Sequence, residues 1–185
     1  MITLEPITYS AGDVQELTGV SAVSQRNWRT RGFLPPLPEG KHYRANVFDM
    51  AMLKITAHLA ERLPVADAVE IARISARAAA RHALQHPKAW EGLPPALTPE
   101  ALAQSALRQH YGKDAQVFPA DYLIIWADGS EAWVADVNAA LEAATFAQTG
   151  GAILLLDLAQ IGFDLGAHGR PFMKVRTSQS EGESA

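Results

Sequence analysis

The stretch GVSAVSQRNWRTRGFLPP, residues 19–36, sets Arg26, Arg29, Arg31 and Trp28 between Gly19 and Gly32. Its reading decides the fold of the amino-terminal half. Ser10 is an N-cap for a helix over AGDVQEL, where Val14 and Leu17 lie three apart. The pair TG at 18–19 stops that helix, with glycine free to take the left-handed conformation. Val20 precedes Ser21, a second N-cap, and is placed to staple the next first turn. A second helix then runs from about Ala22 to Arg31 and stops at Gly32. Two short helices joined by a glycine-containing turn form the helix-turn-helix pattern.

Working outward, FLPPLPEGKHYRANV is too rich in proline for helix, and PEG signals a turn. Phe33, Leu34 and Tyr43 would anchor the ends of a short two-stranded excursion, a wing. A third helix places Met52, Ile55, Leu59 and Leu63 on one face. Pro64 opens a fourth, with Val65, Val69 and Ala72 on its buried side. Pro87, Pro94, Pro95 and Pro99 then read as a linker. Beyond it come a helix capped at Thr98, a hairpin from Tyr122 to Ala135 through an ADGS turn, and further helix. The run GGAILLLD is expected to be a buried strand, LAQIGFDLGAHG a helix and PFMKVRT a last strand.

The expected fold is therefore α+β. Residues 1–84 would form a mainly helical winged helix-turn-helix domain, 85–99 a proline-rich linker, 100–177 a small α+β domain for effectors or partners, and 178–185 a disordered tail.

Charge is unevenly divided. The net charge is −4 overall, but residues 1–83 carry +2 and residues 84–185 carry −6. Between 26 and 44 stand five lysines and arginines against a single acid, Glu39. In a helix-turn-helix the second helix lies in the major groove. Trp28 would face the core, leaving Gln25, Arg26 and Arg29 to project elsewhere. Arginine suits guanine edges, glutamine suits adenine, and both suit phosphate. Lys41, His42 and Arg44 would grip the neighbouring backbone from the wing.

At this point the sequence resembles a known family. YSAGDVQELTGVSAVSQRNWRTRGFLPP, residues 9–36, is similar to the MerR family's pattern of helix, "tGVs", an arginine followed by paired aromatics, and "GLL.P". HYRANVFDMAML, residues 42–53, resembles the same family's wing and third helix. The likeness covers about residues 8–75, with Gln25 standing where the family has an apolar residue and Asn27 where it has an aromatic. It implies that Arg26 contacts phosphate, that Tyr43 and Arg44 are wing contacts, and that Trp28 is a core aromatic. RNWRTRG also resembles the DNA-binding domains of phage small terminases and excisionases.

Other chemistry is less well supported. The chain has no cysteine, which excludes disulfides and thiolate sites. His82 and His86 have metal-clamp spacing, but no third ligand stands near them in sequence and Pro87 ends the helix. Arg73, Arg77 and Arg81 read as the wet side of an alanine-rich helix, and Asp128, Asp136 and Asp157 as turn and cap residues. The spacing argues for no catalytic triad or paired carboxylates. The expectation is a non-enzymatic, sequence-specific double-stranded-DNA-binding protein of the cytoplasm and nucleoid that regulates transcription, without cofactor, metal or membrane segment. A homodimer is expected, with RNA polymerase or a small ligand as further partners of the carboxy-terminal part. The alternatives are a phage-derived packaging or recombination accessory and a protein-interaction adaptor.

Overall fold

The computed structural model describes residues 2–36, 42–112 and 120–177. Strand β1 (Ile2–Pro6) leads through β2 (Tyr9–Ser10) into helices α1 (Ala11–Thr18) and α2 (Ala22–Thr30). After β3 (Arg44–Ala45) come the long helices α3 (Val47–Ala60) and α4 (Val65–Gln85). A 3-10 turn (Pro87–Ala89) and β4 (Trp90–Glu91) lead to α5 (Pro99–Tyr111). The remainder is β5 (Tyr122–Ile125), β6 (Glu131–Val134), α6 (Val137–Ala143), α7 (Phe146–Thr149), β7 (Leu154–Asp157), α8 (Leu158–Ala167) and β8 (Met173–Thr177). With eight α-helices and three small sheets among the described residues, the chain is α+β.

Local signals place these elements where the sequence puts them. Ser10, Ser21, Thr98, Asp136 and Asp157 each accept a first-turn backbone N–H as N-caps. Gly19 closes α1 at φ +77°, a conformation that favours glycine.

Helix α4 is the centre of the molecule, packing against α3, α5 and α8. Ala72, Ala76, Ala79, Ala80 and Ala83 are buried on it, and their small side chains let neighbouring helices approach closely. Helix α8 answers with Gly162 and Gly166, which face Ala79, His82 and Ala83 of α4 and His86 just past its end. Helix α3 is buried more widely than one amphipathic stripe requires: Met50, Ala51, Leu53, Ile55, Thr56 and Leu59 are all enclosed.

The division expected at 85–99 is not present as a linker. Trp90 is buried, donates its indole N–H to Leu84 O at 2.7 Å, and sits in β4 beside Met173 of β8. Strand β8 is in turn paired antiparallel with β1, from Ile2 opposite Thr177 to Pro6 opposite Met173. One buried cluster therefore includes Leu4, Val14, Leu53, Leu84, Trp90, Leu107, Leu123, Leu165 and Val175. Prolines shape this segment without loosening it, because its apolar side chains are needed inside.

A second sheet has the order β6-β5-β7, all antiparallel. The run GGAILLLD at 150–157, expected to be a buried strand, instead contributes only the edge strand β7 over Leu154–Asp157, in which Leu154 and Leu156 pack inward while Leu155 is exposed. Alternation along the strand allows only one of its faces to reach the core. The expected wing also differs, since β3 pairs with β2 rather than with a strand near Phe33. Residues 37–41 lie outside the described residues.

The three arginines of α4 are not simply a wet face. Arg73 pairs with Glu70 at 3.1 Å, Arg77 lies over the Tyr111 ring at 4.8 Å, and Arg81 donates to Asp121 at 2.8 Å. His82 Nε2 is 2.9 Å from the same Asp121 oxygen. Burial, then the neighbouring Arg81 charge, holds the His82 pKa below its ordinary value although Asp121 opposes the shift. His110, stacked on Phe48 with ring centres 3.9 Å apart, is lowered by burial against the opposing pull of Asp49. The folded state thus excludes protons that the unfolded chain accepts. This stability is complete above the unfolded histidine value of about 6.5 and is lost as pH falls through the lower folded values. Urea unfolding is expected to show lower stability at about pH 5 than at about pH 7, with the difference reduced in a His82→Gln, His110→Gln variant. An unchanged difference would assign the pH dependence to other groups.

Candidate nucleic-acid interface

The α1–α2 pair is fastened by side chains whose positions follow from its turn. Thr18 Oγ1 donates to Val14 O at 2.6 Å and accepts from Val20 N at 3.1 Å. Gln15 Oε1 accepts from Ala22 N at 3.0 Å, tying α1 to the first turn of α2. Arg170, from the segment before β8, donates to Asp13 and Glu16 at 2.8 Å each and so offsets the acids of α1.

Gln25 does not project outward as the sequence reading expects. It is 1% exposed, and its Nε2 donates to Val20 O at 2.8 Å and Ala11 O at 3.3 Å. Those bonds pin α2 to the start of α1 and remove the amide from any groove. The reason is tertiary: the Val20 carbonyl, in the turn, and the Ala11 carbonyl, at the start of α1, both come within hydrogen-bond reach of the inner side of α2. Trp28 is half-buried and packs against the core.

Arg29 is also committed within the fold. Its Nε donates to Pro35 O at 3.1 Å, its Nη1 to Gln25 O at 3.4 Å, and its guanidinium lies 4.1 Å from the Tyr43 ring centre. Tyr43 is mostly enclosed, and burial pushes its hydroxyl pKa up to about 12. Arg29 and Tyr43 therefore hold the segment after α2 against the segment before β3.

What remains outward is Arg26, Arg31, His42 and Arg44, together with Val23, Asn27 and Thr30. Lys41 lies outside the described residues. Arg26, Arg29, Thr30, Pro36, His42 and Tyr43 line a cleft of about 480 Å³ beside α2. Asn27 was not singled out by sequence. Recognising Gln25 and Trp28 as inward would have left positions 23, 26, 27 and 30 as the outer helical face.

The arrangement of charge is the distinctive feature. Among the described residues, Arg26, Arg29, Arg31 and Arg44 have no carboxylate partner, while every ion pair lies elsewhere. Asp49, whose charge acts on both Arg29 and Tyr43, is largely buried and accepts the Asn46 N–H as part of the α3 cap. Burial raises its pKa. An outward cationic surface whose charges are not neutralised by carboxylates is suited to an anionic ligand.

Elsewhere, no group of three or more His, Asp or Glu side chains among the described residues is arranged to hold a metal ion. No described helix is long and apolar enough to cross a membrane. Comparison with protein-family models, curated proteins and solved structures finds no match.

Proposed function

We propose that this chain is a sequence-specific double-stranded-DNA-binding protein of winged helix-turn-helix, MerR-like type that regulates transcription at the nucleoid. The observation that carries the reading is the set of arginines on and beside α2 that have no carboxylate partner among the described residues. In this reading α2 enters the major groove with Arg26 and Asn27 outward, while His42, Arg44 and Lys41 contact the backbone. Gln25, Arg29 and Tyr43 act as positioning residues. A homodimer would engage a two-part site, and the rest of the chain would receive a polymerase or small-molecule partner.

Salt titration with the full chain tests the electrostatic part. Affinity for duplex DNA should fall with salt, and Arg44→Ala should weaken binding to all sequences alike while reducing the log–log slope by about 0.9. Asn27→Ala should instead relax preference at one base pair by about 1–3 kcal/mol. Failure of the folded protein to bind any duplex at low salt would overturn the proposal. Selection from random duplexes followed by reporter transcription distinguishes a regulator from a packaging or recombination accessory.

A further inference from the structure

We propose that Val23 is a specificity-determining residue that packs on the 5-methyl group of a thymine in the major groove. This deepens the DNA-binding reading above and rests on it.

The fold has no use for Val23 as a core residue. It lies in the first turn of α2, is 65% exposed and takes no part in the buried cluster. The inward side of α2 is supplied by Gln25, which is buried, and by Trp28, which packs against the core. Among the described residues between Ile2 and Ile74, Val23 is the one large apolar side chain that is exposed. Nor does the helix gain from it, since a β-branched residue is a poorer helix former than alanine.

Its neighbours indicate what it can meet. Arg26, Asn27 and Thr30 follow at helical spacing and are all exposed, so the four residues form one outward strip with Val23 at its amino-terminal end. No acid stands on α2. A single isopropyl group among polar and cationic side chains is far smaller than the surface that a specific protein interface buries. It matches one methyl group, and the thymine methyl is the apolar feature that the bases present in the major groove.

Position along the helix agrees with that assignment. The amino-terminal residues of a groove-bound recognition helix are the ones that reach base edges. From the same strip Asn27 suits the N6 and N7 edge of adenine. Side chains four apart on a helix are about 6 Å from each other, and successive bases along the duplex are about 3.4 Å apart. The thymine therefore falls within about two base pairs of the adenine that Asn27 reads.

The test uses the full chain and the duplex it prefers in selection from a random pool. That duplex is resynthesised with each thymine in turn replaced by deoxyuridine, which lacks only the methyl group. Fluorescence anisotropy should show one position in each half-site at which the replacement weakens binding about fourfold, the loss that one buried methyl implies. Val23→Ala should bind the thymine duplex at least about fourfold more weakly and no longer distinguish thymine from deoxyuridine there, with no fall in melting temperature. Arg44→Ala should weaken both duplexes alike and keep the fourfold ratio. A preferred duplex in which no thymine methyl matters, or a Val23→Ala variant that retains the distinction, overturns this proposal and leaves the DNA-binding reading standing. Binding to duplexes without sequence preference also overturns it. Failure to bind any duplex at low salt overturns the DNA-binding reading and this proposal together.

Discussion

Gly162→Ala is expected to lower stability by about 3 kcal/mol, the upper part of the usual range for overpacking. A Cβ at this position would overlap the Ala79 carbonyl oxygen and stand 2.6 Å from His82 Cβ and 3.0 Å from Ala83 N. The obstruction is backbone, so relief requires α8 to move away from α4. For a chain of this size the melting temperature should fall by about 10 °C. Gly12→Ala is the matched control. Its Cβ would meet only Ser10 Oγ, at 3.9 Å, and reduced unfolded-state entropy should make it stabilising by about 0.5 kcal/mol. The same substitution should thus have opposite signs at the two sites. A melting temperature for Gly162→Ala equal to that of the parent would refute the close approach of α8 and α4.

Trp90→Ala is expected to be at least as damaging, at about 3–5 kcal/mol. It removes a buried ring and leaves Leu84 O without the indole donor that now meets it at 2.7 Å. Trp90→Phe, which retains most of the packing, should lose only about 1 kcal/mol. Were residues 85–99 a solvent-exposed linker, truncation at Trp90 would change stability by no more than about 0.5 kcal/mol. Urea unfolding followed by both far-ultraviolet circular dichroism and tryptophan fluorescence separates these outcomes. Coincident transitions, displaced together in Trp90→Ala, are expected because the buried cluster joins Leu4 and Val14 to Leu165 and Val175.

The candidate site was only partly legible in the sequence. A cluster of cations between Arg26 and Arg44 is visible by inspection, and the structure leaves Arg26, Arg31, His42 and Arg44 outward. Which members hold the fold and which face solvent was not visible. Gln25 is polar and four residues from Arg29, yet its amide is spent on Val20 and Ala11 carbonyls. Arg29 lies over Tyr43 because backbone from both sides of residues 37–41 converges on α2.

The sequence by itself determined the local elements: the caps at Ser10, Ser21, Thr98, Asp136 and Asp157, the stop at Gly19, and the Tyr122–Val134 hairpin. These depend on hydrogen bonds and steric limits within a few residues of one another, so short-range patterns contain them. Only the tertiary structure decided that β1 pairs with β8, that Trp90 is core and that Gly162 meets Ala79. Those partners are far apart along the chain, and apolar burial is not directional enough to name them from composition or spacing.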